Sequence, residues 1–121
     1  MNSTRIISIS KDFSNVPLGR FQDDSDFNGT TFRLEYLIPA LAENNHVLID
    51  LDNTEGYGSS FLEEAFGGLV RLHSFTKEEL ATRLTFISKE DPTLIDEIHQ
   101  YLADARPEKP SNGQARNVGR K

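Results

Sequence analysis

Apolar and polar residues alternate in some segments of the chain and form continuous runs in others, and both patterns predict strands. Residues 5–10 alternate, with β-branched isoleucines, and predict a half-buried strand. Residues 46–51 form a compact apolar run, which is typical of a strand buried on both faces at the centre of a sheet. Residues 84–88 predict a further strand. We also expect a short strand at 20–22 that would complete an N-terminal hairpin.

Apolar residues at helical spacing predict the helices between these strands. Asn28 is expected to cap a helix that Pro39 kinks or splits. Two capping boxes of the form Ser/Thr-x-x-Glu predict helices that start at Ser60 and at Thr76. A last helix is expected after Asp91, with proline in its first turn.

The order of these elements, β(β)αβααβα, predicts an α/β domain with one mixed sheet of about four strands. The chain has 121 residues, which fits a single domain. We expect the folded domain to span residues 1–104 and residues 105–121 to form a flexible, basic C-terminal tail, since the tail is rich in Pro, Gly, Asn and charged residues.

Composition and charge exclude several classes of function. The chain has no cysteine, so it has no disulfide, thiolate metal site or cysteine nucleophile. No apolar run is long enough for a membrane span and no signal peptide is recognised, so we expect a soluble cytoplasmic protein. Residues 1–103 carry 8 basic and 17 acidic side chains, a net charge of −9, whereas residues 104–121 carry a net charge of +3. The acidic body argues against nucleic-acid binding, although the basic tail could make weak contacts with an anion.

The most informative segment is the end of the predicted strand 46–51 and the loop that follows it. The strand ends in acidic residues, the loop contains glycines, and a helix that starts with serines comes next. Carboxyl ends of strands and helix N-termini are common functional positions in α/β proteins. Ser59 and Ser60 are therefore candidate phosphate acceptors, but Ser60 is also explained as a helix cap. The candidate residues of a loop that binds a partner or an anion are Asp52, Gly56, Tyr57, Gly58 and Phe61, of which Phe61 is expected to be exposed.

Patterns for catalysis or metal binding are weak. The loop GYGSS matches neither a P-loop nor a hydrolase nucleophile elbow. His46, His73 and His99 lie far apart in the sequence, so we expect no metal and no cofactor. Two consecutive glycines, Gly67 and Gly68, indicate a close approach of the backbone to the sheet or to a partner.

The segment GYGSSFLEEAFGGLVR resembles the core motif of the bacterial STAS-like domain family of unknown function. The similarity extends back through GRFQDD, NGTTFR, the L-x-P-A-L element at 37–41 and VLIDLDNTEGYG, so that it covers roughly residues 5–88. The resemblance implies a relation to STAS domains, the fold of anti-anti-sigma factors and of sulfate-transporter tails. In those domains a partner kinase of the histidine-kinase-like ATPase type phosphorylates a serine in a D-S-[ST]-G loop and thereby switches partner binding.

Alignment of this motif puts Ser59 at the phosphate-acceptor position and Ser60 beside it, whereas Gly58 and Phe61 replace the family's Asp and Gly. The resemblance implies a non-catalytic regulatory module that binds a protein through the loop Gly56–Phe61 and the following helix. The first expected partner is a histidine-kinase-like ATPase that phosphorylates Ser59. The alternative is a small-ligand or anion-binding domain, or an enzyme, that uses the glycine loop and the helix N-terminus. The sequence leaves the oligomeric state open.

Overall fold

The computed structural model describes residues 3–108, and within them the sheet has three strands. These are β1 (Thr4–Ser8), β2 (His46–Asp50) and β3 (Leu84–Ile87), arranged in the order β1-β2-β3. Both neighbouring pairs are parallel. The predicted α/β class is therefore confirmed, but the mixed sheet of about four strands is wrong.

The helices alternate with these strands. A π-helical turn, Ile9–Phe13, follows β1 directly. Helix α1 spans 29–43 in three consecutive segments, Gly29–Phe32, the π-turn Arg33–Leu37 and Ile38–Glu43. Helix α2 spans 59–73 in the segments Ser59–Leu62, the π-turn Glu63–Gly67 and Gly68–His73. Helices α3 (Lys77–Arg83) and α4 (Thr93–Asp104) complete the fold.

The predicted hairpin strand at 20–22 does not form, and Asp24 provides the physical reason. Its Oδ2 atom accepts hydrogen bonds from the backbone N–H groups of Arg20 (2.9 Å) and Phe21 (3.1 Å). These are the donors that a strand would use in a sheet. The backbone N–H of Asp24 in turn donates to the Phe21 carbonyl at 2.8 Å, which closes a turn. A local carboxylate therefore competes successfully with strand pairing.

Strand β2 is central, as its apolar run predicts, but it is buried on only one face. Val47 and Ile49 are buried, whereas Leu48 is partly exposed. Parallel strands in the order β1-β2-β3 place both connections over the same face when each has the usual right-handed sense. Among the described residues the opposite face is the more exposed one, and Ile6 on it is 61% exposed.

Three of the predicted helix signals can be compared with the structure. Asn28 caps α1, because its Oδ1 accepts from the backbone N–H of Thr31 at 2.9 Å. Thr76 caps α3 in the same way through the N–H of Glu79 at 3.0 Å. Pro39 lies in the first turn of the segment Ile38–Glu43, directly after a π-turn, so α1 continues through it.

Helix α4 ends at Asp104, and residues 105–108 continue beyond it. The backbone N–H of Glu108 donates to the Arg71 carbonyl at 3.0 Å. The division at residue 104 and the flexible tail stay predictions, since residues 109–121 lie outside the described residues.

Candidate functional site

The loop after β2 leaves the sheet at its carboxyl edge and is tied to the connection between β3 and α4. The Asp52 side chain is 9% exposed, and its two carboxylate oxygens accept from the backbone N–H groups of Lys89 (3.1 Å) and Glu90 (3.0 Å). Asp50 Oδ1 accepts from the N–H of Asp52 at 3.0 Å. Asp52, a predicted member of the binding loop, is therefore mostly buried and stabilises that loop through its hydrogen bonds.

Tyr57 holds the middle of the loop against the end of β2. Its hydroxyl donates to the Leu51 carbonyl at 2.8 Å. Burial raises the pKa of Tyr57 well above its ordinary value, and the nearby carboxylates of Asp50, Asp52 and Glu90 act in the same direction. Tyr57 thus remains a neutral phenol that orders the loop.

The loop is also attached to the segment before α1. The backbone N–H of Glu55 donates to the Asn15 carbonyl at 2.8 Å. Gly56 has a φ of +131°, a conformation that side chains disfavour. Leu18 lies beside Gly58, because its Cδ1 atom is 4.0 Å from the position of a Cβ on that glycine. Segments 14–18 and 55–58 therefore form one continuous surface.

The capping box makes Ser60 the cap of α2, but the helix begins two residues earlier than this predicts. Ser59 is its first residue and Gly58 is the cap, with no side-chain hydrogen bond at that position. The predicted cap at Ser60 is therefore wrong. Glu63, which should complete the box, instead forms ion pairs with Arg20 and Arg71. Ser59 is exposed and Ser60 is partly buried.

Phe61 is fully buried, so the expectation that it is an exposed partner contact is wrong. Its ring centroid lies 6.1 Å from that of Phe13, 5.9 Å from that of Phe32 and 6.1 Å from that of Tyr57. Phe61 lies four and eight residues before Ala65 and Leu69, which are also fully buried, so it belongs to the apolar face of α2. Phe61 therefore anchors the loop to the core.

Helix α4 supplies a further group next to Ser59. The Tyr101 hydroxyl donates to Glu97 Oε2 at 2.5 Å. This hydrogen bond raises the pKa of Tyr101, as do its burial and the nearby charge of Glu63, while the neighbouring Ser59 hydroxyl lowers it. In the sequence Tyr101 lies on the apolar face of the last predicted helix, a position that indicates only packing.

A buried ion-pair cluster joins α1, α2 and the segment before α1. Arg33 is 3% exposed and contacts Glu64 Oε2 at 3.0 Å and the Glu64 carbonyl. Arg20 and Arg71 each contact both Glu63 and Glu64. Sequence patterns did not predict this cluster. Arg33 lies four residues before Leu37 and therefore on the buried face of α1, and together with the two glycines of α2 it is the signal that could have indicated the cluster.

Beside the loop lies a cleft of about 410 Å³ whose charged groups are carboxylates. Those carboxylates belong to Asp52, Glu55, Glu90, Asp91 and Glu97. Such a lining repels an anion, so the cleft argues against the alternative of an anion-binding pocket at this edge.

The three histidines contact groups other than the two candidate serines. His46 Nε2 is hydrogen-bonded to Thr85 Oγ1 at 2.7 Å, and His73 Nε2 accepts from Arg33 Nε at 3.2 Å. His99 packs edge-on against Phe86. Within residues 3–108, no group of three or more His, Cys, Asp or Glu side chains is arranged to hold a metal ion. No helix in that part of the chain is long and apolar enough to cross a membrane.

Comparison with known proteins identifies a family for this chain. A family model described as "STAS-like domain of unknown function (DUF4325)" matches residues 28–94, a region that contains α1, β2, the loop, α2, α3 and β3. No curated protein and no solved structure is significantly similar to the chain.

Proposed function

The chain belongs to the family of STAS-like domains of unknown function, and on that basis we propose that it is a non-catalytic regulatory module that acts by binding a protein partner. The binding surface comprises the loop at 56–58, the start of α2 and the adjoining Leu18. The observation that supports this proposal best is the position of Ser59, which is exposed at the start of α2 on the carboxyl edge of the sheet.

The surface around Ser59 has the mixed character that a protein partner recognises. Leu18 is 51% exposed and Val16 is 47% exposed, so two apolar side chains stand beside the loop. The backbone at Gly58 is open, since the two nearest atoms to a Cβ there are Ser60 Oγ at 3.9 Å and Leu18 Cδ1 at 4.0 Å. A partner can therefore approach the backbone closely and cover the apolar side chains.

We further propose that phosphorylation of Ser59 switches this binding. A phosphate adds a charge of about −1.5 to −2, which the N–H groups and dipole at the start of α2 stabilise. It would also compete with Glu97 for the Tyr101 hydroxyl and repel Glu63. The modified surface differs from the unmodified one in charge and in the position of Tyr101, and both differences change the fit of a partner.

The proposed partner is a serine kinase of the histidine-kinase-like ATPase type, and the protein acts in the cytoplasm, where ATP is available. The proposal of a module without catalysis is supported by the hydrogen bonds of His46 and His73 to Thr85 and Arg33 and by the packing of His99 against Phe86.

The phosphorylation test uses the whole chain, a candidate ATPase of that type and ATP. Intact mass and fragment spectra should show one phosphoryl group on the wild type and on Ser60→Ala, but none on Ser59→Ala. Partner affinity should fall by about tenfold in Ser59→Asp, which corresponds to about 1.4 kcal/mol. An unmodified wild type together with unchanged partner binding by Ser59→Asp would contradict the switch.

The binding surface is tested separately from the switch. Leu18→Asp should weaken partner binding, since it places a charge in the centre of the proposed surface. Leu72→Asp is the matched control, because Leu72 is 45% exposed near the other end of α2. Equal partner affinity of the two variants would contradict the proposed surface, whatever the outcome at Ser59.

A further inference from the structure

A cleft of about 360 Å³ lies beside the start of α1. None of the residues that line this cleft belongs to the loop at 56–58. Its walls include three aromatic rings, those of Phe13, Phe27 and Tyr36, and two carboxylates, those of Asp26 and Glu35. Among residues 3–108, no arginine or lysine lines it. The cleft therefore combines π-faces with negative charge.

The aromatic rings form a corner. The centroid of Phe13 lies 5.5 Å from that of Phe27 with an angle of 88° between the ring planes. It lies 5.3 Å from that of Tyr36 with an angle of 75°. Two rings thus stand nearly perpendicular to the ring between them. Phe27 and Tyr36 both line the cleft on either side of Phe13, so a cation in the cleft would lie beside more than one ring.

Helix capping explains only part of this arrangement. Phe27 and Phe32 occupy the two positions of a hydrophobic staple around the cap residue Asn28, and both pack against Phe13. A staple does not require an open cleft, yet Phe27 remains 45% exposed. Both carboxylate residues of the cleft are exposed as well.

We propose that this cleft binds an organic cation, an alkylammonium or guanidinium group. The ring faces attract the charge, the aliphatic part of the ligand covers exposed aromatic surface, and Asp26 and Glu35 neutralise the cation. The group is either the side chain of a lysine or arginine in a protein or a free quaternary amine, since the recognising chemistry is the same. The volume of the cleft accommodates a group of this size.

The test is an NMR titration of the full chain with tetramethylammonium chloride at constant ionic strength. Ring currents should shift the ligand methyl protons upfield, and the aromatic resonances of Phe13, Phe27 and Tyr36 should move. Neutral tert-butanol, which has a similar size, is the control ligand. Binding of tert-butanol as tight as that of tetramethylammonium, or no change at these three rings, would overturn the proposal.

Substitutions test separately how much the aromatic rings and the carboxylates of the cleft contribute to tetramethylammonium binding. Phe27→Leu keeps an apolar residue before the helix cap and should weaken tetramethylammonium binding by roughly two- to fivefold. The double variant Asp26→Asn with Glu35→Gln should weaken it by a similar factor. Glu43→Gln, an exposed carboxylate at the far end of α1, should leave it unchanged. Unchanged affinity in both test variants would overturn the proposal, provided that circular dichroism shows them folded.

Two further ligands identify the source of the cation. Nα-acetyl-lysine methylamide and Nα-acetyl-arginine methylamide present the two basic side chains with a neutral backbone. Tighter binding of either compound than of tetramethylammonium assigns the cleft to a basic side chain of a protein. The opposite order assigns it to a free quaternary amine, and both orders support the proposed site.

Discussion

The guanidinium group of Arg33 occupies the space in which a side chain at Gly68 would lie. A Cβ atom on Gly68 would be 2.7 Å from Arg33 Cζ, well inside van der Waals contact. Arg33 cannot move away easily, because it is 3% exposed and is held by Glu64 and His73. Gly68 is therefore explained by an arginine of α1 and not by the sheet, whereas Gly67 borders Glu63 and Arg71.

Gly68→Ala should lower the free energy of unfolding by roughly 2 kcal/mol, because overpacking outweighs the gain of about 1 kcal/mol in helix propensity. Urea unfolding measures the difference. Gly67→Ala is the matched control, since its Cβ would meet the partly exposed Glu63 carboxylate at 2.8 Å, and that side chain can shift. Equal stability of the two variants would contradict the role assigned to Arg33.

Glu64→Gln should be strongly destabilising, because it leaves the buried Arg33 cation without its carboxylate. The expected loss is about 3 kcal/mol in the free energy of unfolding. Glu79→Gln provides the comparison, since Glu79 pairs with Arg83 at the surface of α3 and that ion pair contributes about 0.5 kcal/mol or less. If Glu64→Gln lowers the free energy of unfolding no more than Glu79→Gln does, the ion-pair cluster does not stabilise the fold.

Stability should fall as the pH drops below neutrality, and His73 should account for part of the loss. Burial and the charge of Arg33 lower the pKa of His73 below its ordinary value of 6.5. The unfolded state therefore binds the proton more readily, and stability is present above pH 6.5 and is lost as the pH falls through 6.5 towards the lowered pKa of the folded state.

Urea unfolding between pH 5 and pH 8 tests this for the wild type and for His73→Gln, whose amide oxygen can still accept from Arg33. The variant should show a weaker pH dependence over this range. If the free energy of unfolding changes with pH in the same way for both proteins, groups other than His73 cause the loss of stability.

Asp52→Ala should loosen the connection between β3 and α4. It removes the acceptor of two backbone N–H groups, those of Lys89 and Glu90, and should cost about 1–3 kcal/mol. Hydrogen exchange should accelerate at these two amides. Asp23→Ala, at an exposed aspartate in the segment before α1, is the control and should change neither quantity. Unchanged exchange in Asp52→Ala would mean that its carboxylate does not order this edge.

Local signals predicted the elements whose stabilising contacts are close in sequence. The caps at Asn28 and Thr76 each need only a side chain and a backbone N–H three residues later, so the pattern is sufficient. The apolar run of β2 likewise predicts a central strand. The box at Ser60 failed although its pattern is the same, because α2 begins at Ser59 with Gly58 as its cap, which places Ser60 inside the first turn.

The sequence by itself determined the α/β class, the family and the position of the two candidate serines after β2, because each depends on residue types at fixed spacing. Only the tertiary structure decided that Phe61 is buried, that the sheet is wholly parallel and that Arg33 lies against Gly68. These features depend on contacts between segments far apart in the chain, where one side chain competes with several partners. A sequence motif shows which residue types are present, whereas tertiary packing decides which of them come into contact.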